Sequence, residues 1–492
     1  MSRCLSLLLM LLLADAASAD VRLAKVFTDH MVLQRDKPVR VWGFGDAGDK
    51  VTVTFADAKV DATTDKDGRW LVELPAMKVN AKGQKLTVTS GAQTITLSDV
   101  LIGDVWICGG QSNMGRPVNG DQIKSADLPL IRLFNVGGDV PRAEGIDDTF
   151  GWVVCSPETI AVAGDGNAEK RRGFTEVGFV FGRRLHAELG IPIGLFQMNC
   201  GGSTARDWTP TPGAADKLTL GESIKLTHND GRLYEVRMRG TVPMTIKGVV
   251  WYQGEDDGRN PKYGEDFAHM IAAWRKDYRD DALPFYFAQI AQTTYASGML
   301  GVWEGQVEVF EKVKHTGLAV SNDIYTDTNN GGFKERIDTK SGLPIAGGSN
   351  PHPTGKDKVT ERLARIALQE TYGKKQGILY GPLYASHEIK GNKVIVKFKH
   401  VGDGLKTIDG SAPNWFEISD GTKDRNVTIY VKASAKITGK DTIEVWADRV
   451  DAPKEVRFGW HPLARYNLVN SGDLPAVSFR TDKDDRWRVA GQ

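Results

Sequence analysis

From about residue 102 to 373, short apolar runs alternate with stretches whose apolar side chains recur at helical spacing. No other feature constrains the fold as strongly. The runs at 104–108, 193–199, 247–252, 284–290 and 317–322 are predicted strands, each bounded by glycine or polar residues. Val177, Phe181, Leu185 and Leu189 form one helical stripe, closed by Gly190. Tyr263, Phe267, Ile271, Trp274 and Tyr278 form a second. Val359, Leu363, Ile366 and Ala367 mark a third, with Gly373 after its end. The aromatic residues in these stripes read as core. Strands alternating with helices imply a mainly parallel sheet covered by helices. The flanks differ. Residues 39–42, 51–55, 70–74 and 86–89 alternate at strand period between turn clusters such as Asp65-Lys66-Asp67-Gly68. Residues 393–398, 426–432, 442–447 and 456–460 do the same near the C-terminus, where no helical stripe of useful length occurs. The predicted class is α/β: a parallel-sheet domain at 102–375, between an N-terminal β-sandwich domain at 20–101 and a C-terminal β domain at 376–492.

Residues 1–19 read as a signal peptide. Arg3 supplies the basic start, Leu5 to Leu13 the short apolar run, and Ala17-Ser18-Ala19 the small-residue cleavage site. Cleavage after Ala19 leaves 492 − 19 = 473 residues, and places the expected product outside the cytoplasm, secreted or periplasmic. The apolar run is short of the ~20 residues a bilayer span needs, and no later stretch is long enough, so no membrane insertion is expected after cleavage. Lys+Arg minus Asp+Glu is 63 − 62 = +1, which gives no net attraction to nucleic acid. Cys4 leaves with the leader. Cys108, Cys155 and Cys200 remain, an odd number with no CxxC spacing. The 9 histidines are scattered without an HExxH, so no metal site is expected.

In an open parallel sheet, ligands bind beyond the C-terminal ends of the strands. Gly109-Gly110-Gln111-Ser112-Asn113-Met114 follows the first predicted strand, where the glycines permit a turn that presents the Ser112 hydroxyl. Alone, such a serine is ordinary turn chemistry. Cys200-Gly201-Gly202-Ser203 follows the second strand, and its glycines let a backbone N–H approach an oxyanion. The third runs into Gln253-Gly254-Glu255, offering an amide donor and a carboxylate. Before the last helix, Asn350-Pro351-His352-Pro353 fixes one imidazole between prolines. A nucleophile, oxyanion donors and a general base are the set that acyl transfer requires.

Gly110 to Met114, Trp251-Tyr252-Gln253-Gly254-Glu255 and His352-Pro353 together resemble the sialate O-acetylesterase family, a branch of the SGNH hydrolases with a flavodoxin-like sheet. The stretch Phe27 to Arg35 is similar to that family's opening β segment. Leu468-Val469-Asn470, Leu474-Pro475-Ala476 and Phe479-Arg480-Thr481-Asp482 are similar to its ending. The resemblance covers nearly all of the mature chain. It implies a serine esterase that hydrolyses O-acetyl groups on carbohydrates such as sialic acid, without a cofactor. By that resemblance Ser112 is the nucleophile and His352 the base. The Ser112 and Gly202 N–H groups and the Gln253 amide would hold the oxyanion. Arg206 and Trp208, just past the glycine pair, are candidate substrate contacts. The sequence departs from the family where an aspartate usually precedes the histidine by two residues. Asn350 stands there as a possible orienting residue, with Glu255 the candidate substitute acid. Gly115 replaces a common glutamate, and 323–349 is a long polar connection that reads as a lid or a disordered segment. The alternative reading is a catalytically impaired glycan-binding protein, motivated by Asn350 and the two flanking β regions.

Overall fold

The computed structural model describes residues 21–136, 151–163, 173–211, 231–293, 298–324, 351–462 and 464–483, and the backbone of 487–489. The leader, Asn350 and nearly all of the 323–349 connection lie outside the described residues.

The alternating segment forms a parallel sheet. Its strands are β1 (Gln93–Gly110), β2 (Ile131–Asn135), β3 (Ile193–Asn199), β4 (Gly248–Tyr252), β5 (Phe285–Ala288) and β6 (Thr316–Ala319). Their order is β2-β3-β1-β4-β5-β6, every neighbouring pair is parallel, and Val153–Val154 adds an antiparallel edge beside β2. Helix α1 (Glu176–Leu189) and helix α4 (Lys356–Ile366) cover one face, and α2 (Tyr263–Tyr278) and α3 (Met299–Lys312) the other. The alternation of a strand decides which residue serves which face. On β1, Trp106 and Cys108 join Phe181, Leu185, Leu363 and Ile366, while Val105 and Ile107 join the cluster of Phe267, Trp274 and Trp303. All three predicted stripes form helices, and Gly190 closes α1 in the left-handed region at φ 66°.

β1 runs unbroken across residue 101, so the boundary expected there falls inside one strand of 18 residues. Its first half pairs antiparallel with Asn80–Ser90 and its second half enters the parallel sheet. Arg35 and Gln34 fasten the middle. Arg35 donates to both oxygens of the fully buried Asp104, at 3.1 and 2.9 Å. The Gln34 amide donates to Asp104 Oδ1 at 2.7 Å and accepts from the Val105 N–H at 2.9 Å. The opening motif is thus a structural fastening. Residues 383–480 form a second all-β region, mostly an antiparallel sheet around Val394, Phe416, Ile418, Val445 and Phe458. It docks on the α/β part through Arg480 to Glu304 of α3 at 2.8 Å and Asn322 Nδ2 to Ala476 O at 3.2 Å.

Candidate active site

The chain moves outward from β1 in one direction to β2 and β3, then in the other to β4, so β1 marks the point where strand order reverses. Gly110 at its end is paired with both Asn199 and Tyr252. The loops that follow these strands are therefore neighbours. Gly110 has φ 142°, and a Cβ there would stand 2.1 Å from the Tyr252 carbonyl oxygen, so only glycine fits. The turn it allows presents Ser112.

His352, which precedes α4, places Nε2 2.8 Å from Ser112 Oγ across 240 residues of sequence. That distance suits proton transfer from the hydroxyl to a neutral imidazole. Burial holds the imidazole below its ordinary value of 6.5, and the positive charges of Lys356 and Arg116 push the same way. Cys200 to Gly202 lies beside the serine: a Cβ on Gly201 would sit 3.7 Å from that of Ser112. Gly202 is left-handed at φ 71°. Neither the Ser112 nor the Gly202 backbone N–H donates a hydrogen bond among the described residues.

Two side chains of the serine loop tie it to the loop after β4. Gln111 Nε2 donates to Asp256 at 2.9 Å, and Gln111 Oε1 accepts from the Gly254 N–H at 3.2 Å. Asn113 Nδ2 donates to Glu255 Oε1 at 2.5 Å and to the Pro351 carbonyl at 2.9 Å. Glu255 is 1% exposed, and burial pushes its carboxyl up to about 7. Its Oε2 has no hydrogen-bond partner among the described residues.

Comparisons with known proteins point to an esterase family. Residues 102–340 match the family described as carbohydrate esterase, sialic acid-specific acetylesterase. Over that segment the chain resembles the sialate O-acetylesterases. The sialate O-acetylesterase of Rattus norvegicus is 28% identical over 461 residues, covering 77% of this chain and 80% of the relative. The Homo sapiens enzyme of the same name is 26% identical over 445 residues, covering 80% of each. A solved carbohydrate acetylesterase from Xanthomonas citri superposes with a TM-score of 0.77 at 29% identity, over 94% of this chain and 100% of that one.

Among the residues singled out from the sequence, Ser112, His352 and the Gly202 turn come together, and three side chains do something other than expected. Gln253 does not point a donor at an oxyanion. Its Nε2 is committed to the Ser203 carbonyl at 3.0 Å and to Asp257 Oδ2 at 2.6 Å. Asp257, pushed up by burial to about 6, also accepts from the Ala205 N–H at 2.9 Å. Gln253 and Asp257 together brace the glycine turn from below. Trp208 is not a substrate contact: it is fully buried, donates to Ser203 Oγ at 2.9 Å, and meets Trp251 edge to face at 5.8 Å. Glu255 makes no hydrogen bond to His352: Oε1 accepts from Asn113, and Oε2 has no partner among the described residues. Arg206 is exposed, at the start of the short 3-10 turn Arg206–Trp208.

The residues missed were Gln111, Asn113, Asp257 and Lys356. Gln111 and Asn113 stand inside the motif that drew attention to Ser112, so their signal was present and was read only through the hydroxyl. Cys108 and Cys155 are buried, Cys200 is half-buried, and none of the three forms a disulfide among the described residues. Among the described residues no cluster of histidine, cysteine and carboxylate side chains could hold a metal, and no helix is long and apolar enough to cross a membrane.

Proposed function

We propose that this chain is an exported serine esterase that removes O-acetyl groups from carbohydrates through an acetyl-serine intermediate. The observation that carries the reading is the 2.8 Å contact of Ser112 Oγ with His352 Nε2, at the C-terminal edge of a parallel sheet. We read the fold as of SGNH type, with the leader at 1–19 and an esterase domain that is entered within β1 and ends near residue 375. Ser112 Oγ attacks the acetyl carbonyl carbon while His352 Nε2 takes its proton. The carbonyl oxygen becomes an oxyanion held by the Ser112 and Gly202 N–H groups. As the tetrahedral centre collapses, the bond to the sugar oxygen breaks, and His352 returns the proton to that oxygen. Water then adds to the acetyl-serine with His352 again as base, releasing acetate and restoring Ser112. No step requires a cofactor. Sialic acid or another acetylated glycan is the substrate class that the relatives' names support.

A second reading, glycan binding without turnover, draws on one observation. The charged groups that act on His352 include Lys356 and Arg116, both cations. Neither stabilises an imidazolium as a carboxylate would, and Asn350 supplies no charge.

Acetate release from 4-nitrophenyl acetate and from a panel of acetylated sugars separates the readings. The esterase reading expects turnover in the wild type that vanishes in Ser112→Ala. Glycan binding with acetate release no faster than in Ser112→Ala would establish the second reading instead.

A further inference from the structure

We propose that Lys356 is a positioning residue for His352, one half of a two-sided clamp on the histidine peptide. The proposal rests on the Ser112–His352 reading above. Proline has no N–H, so the residues on either side of His352 offer only carbonyls by which their backbone can be held. Both are held by buried side-chain donors. Asn113 Nδ2 donates to the Pro351 carbonyl at 2.9 Å, and Lys356 Nζ donates to the Pro353 carbonyl at 2.8 Å. Asn113 is 0% and Lys356 2% exposed. Asn113 is anchored in turn by Glu255 at 2.5 Å. The imidazole between these two grips is the one that meets Ser112 Oγ.

Lysine is a poor choice at this position for stability alone. Burying an ammonium is costly, and an apolar side chain would fill the space without that cost. Lys356 is also the first residue of α4, where the helix dipole and unsatisfied N–H groups disfavour a cation. Burial lowers its ammonium to about 8, with Arg116 pushing the same way and Glu176 and Glu255 opposing. Among the described residues, the charged groups acting on the pair come from four segments: Arg116 after β1, Glu176 at the start of α1, Glu255 after β4 and Lys356 itself. Of these, Lys356 and Arg116 act on the imidazole and favour its neutral form. The clamp therefore has two separable effects. The Nζ–H donor holds the peptide, and the charge lowers the pH at which His352 becomes protonated.

Two substitutions separate the effects. Lys356→Gln keeps a donor and loses the charge, whereas Lys356→Met loses both. The readouts are kcat/KM for 4-nitrophenyl acetate against pH, and the His352 imidazole titration by NMR in a Ser112→Ala background. Both variants are expected to move the acid limb of the rate profile, and the imidazole titration, to higher pH. Lys356→Met is expected to lower the plateau roughly 10- to 100-fold, the scale of a small misplacement of a catalytic group, and Lys356→Gln to recover most of it. A wild-type plateau with an unmoved acid limb in both variants would overturn the proposal. So would a plateau loss with the imidazole titration unmoved, which describes a structural lysine. If Lys356→Met does not fold, the acid limb and titration of Lys356→Gln still decide. The NMR titration needs no turnover, so a shift there with an inactive wild type would mean that the esterase reading fails while the clamp stands.

Discussion

Two buried carboxylate arrangements, one in the C-terminal region and one beside Ser112, are built differently. In the C-terminal sheet, Asp482 is paired with the fully buried Arg457 through two contacts of 2.7 and 2.6 Å. Tyr430 donates a third bond to it at 2.7 Å, and the Arg457 guanidinium lies 4.0 Å from the Tyr430 ring centre. Beside Ser112, Glu255 and Asp257 are bonded to the neutral amides of Asn113 and Gln253. Burial is the largest influence on both, and holds Glu255 up at about 7 and Asp257 at about 6. A bidentate arginine fixes a carboxylate as an ion. Amide donors orient it and leave its charge open to pH. The first arrangement holds the C-terminal sheet, and the second holds the loops around Ser112.

The largest expected effect lies on the catalytic side of this contrast. Ser112→Ala should lower kcat by roughly 10³-fold or more. Its thermal midpoint should stay close to wild type, because Ser112 makes no other side-chain hydrogen bond among the described residues. Esterase assay and melting curve on the same sample check both halves. Next is Asp482→Asn, which removes the carboxylate charge bonded to the buried Arg457 and should cost about 3–5 kcal/mol of folding stability. Denaturant unfolding measures it, and kcat of the folded fraction should be unchanged. A loss of kcat without a loss of stability would dissolve the contrast between the two regions.

Glu255→Gln should act through pH. A carboxyl raised from 4.5 to about 7 is protonated in the folded chain and ionised in the unfolded chain between those values. Its contribution to stability is fully present below pH 4.5 and is lost as pH rises to about 7, by on the order of 1–3 kcal/mol. Glu417, also raised to about 7 by burial, adds a background of the same sign. The difference between wild type and Glu255→Gln isolates the site: the variant should lose less stability than wild type over that interval. Trp208→Phe should be smaller still. It removes the bond to Ser203 Oγ and should cost about 1 kcal/mol, with KM for an acetylated sugar unmoved. A raised KM with unchanged stability would return Trp208 to the substrate.

The fold was legible in the sequence where a period was clean. The stripes of α1, α2 and α4 and the runs of β3 and β4 carry enough apolar residues to mark themselves. Helix α3 was missed because its buried face includes Gly305 and Gln306, which dilute the apolar pattern. The short β2 was missed although all of its residues are buried; Arg132 and Asn135 interrupt the run. At the site, Ser112 and His352 were legible because both side chains stand in glycine and proline punctuation. The duties of Gln253, Trp208 and Glu255 were not, because a motif shows which residues are near the chemistry and not where each donor points. Gln253 Nε2 faces Ser203 and Asp257, a choice set by tertiary packing alone.

Whether Ser112 is the nucleophile is decided by titration with a serine-directed fluorophosphonate while 4-nitrophenyl acetate hydrolysis is followed, with the adduct mapped by mass spectrometry. Activity should fall in proportion to labelling of Ser112 and be gone when every chain carries one label there. Full turnover with Ser112 fully labelled, or activity lost to a label on another residue, would contradict the assignment.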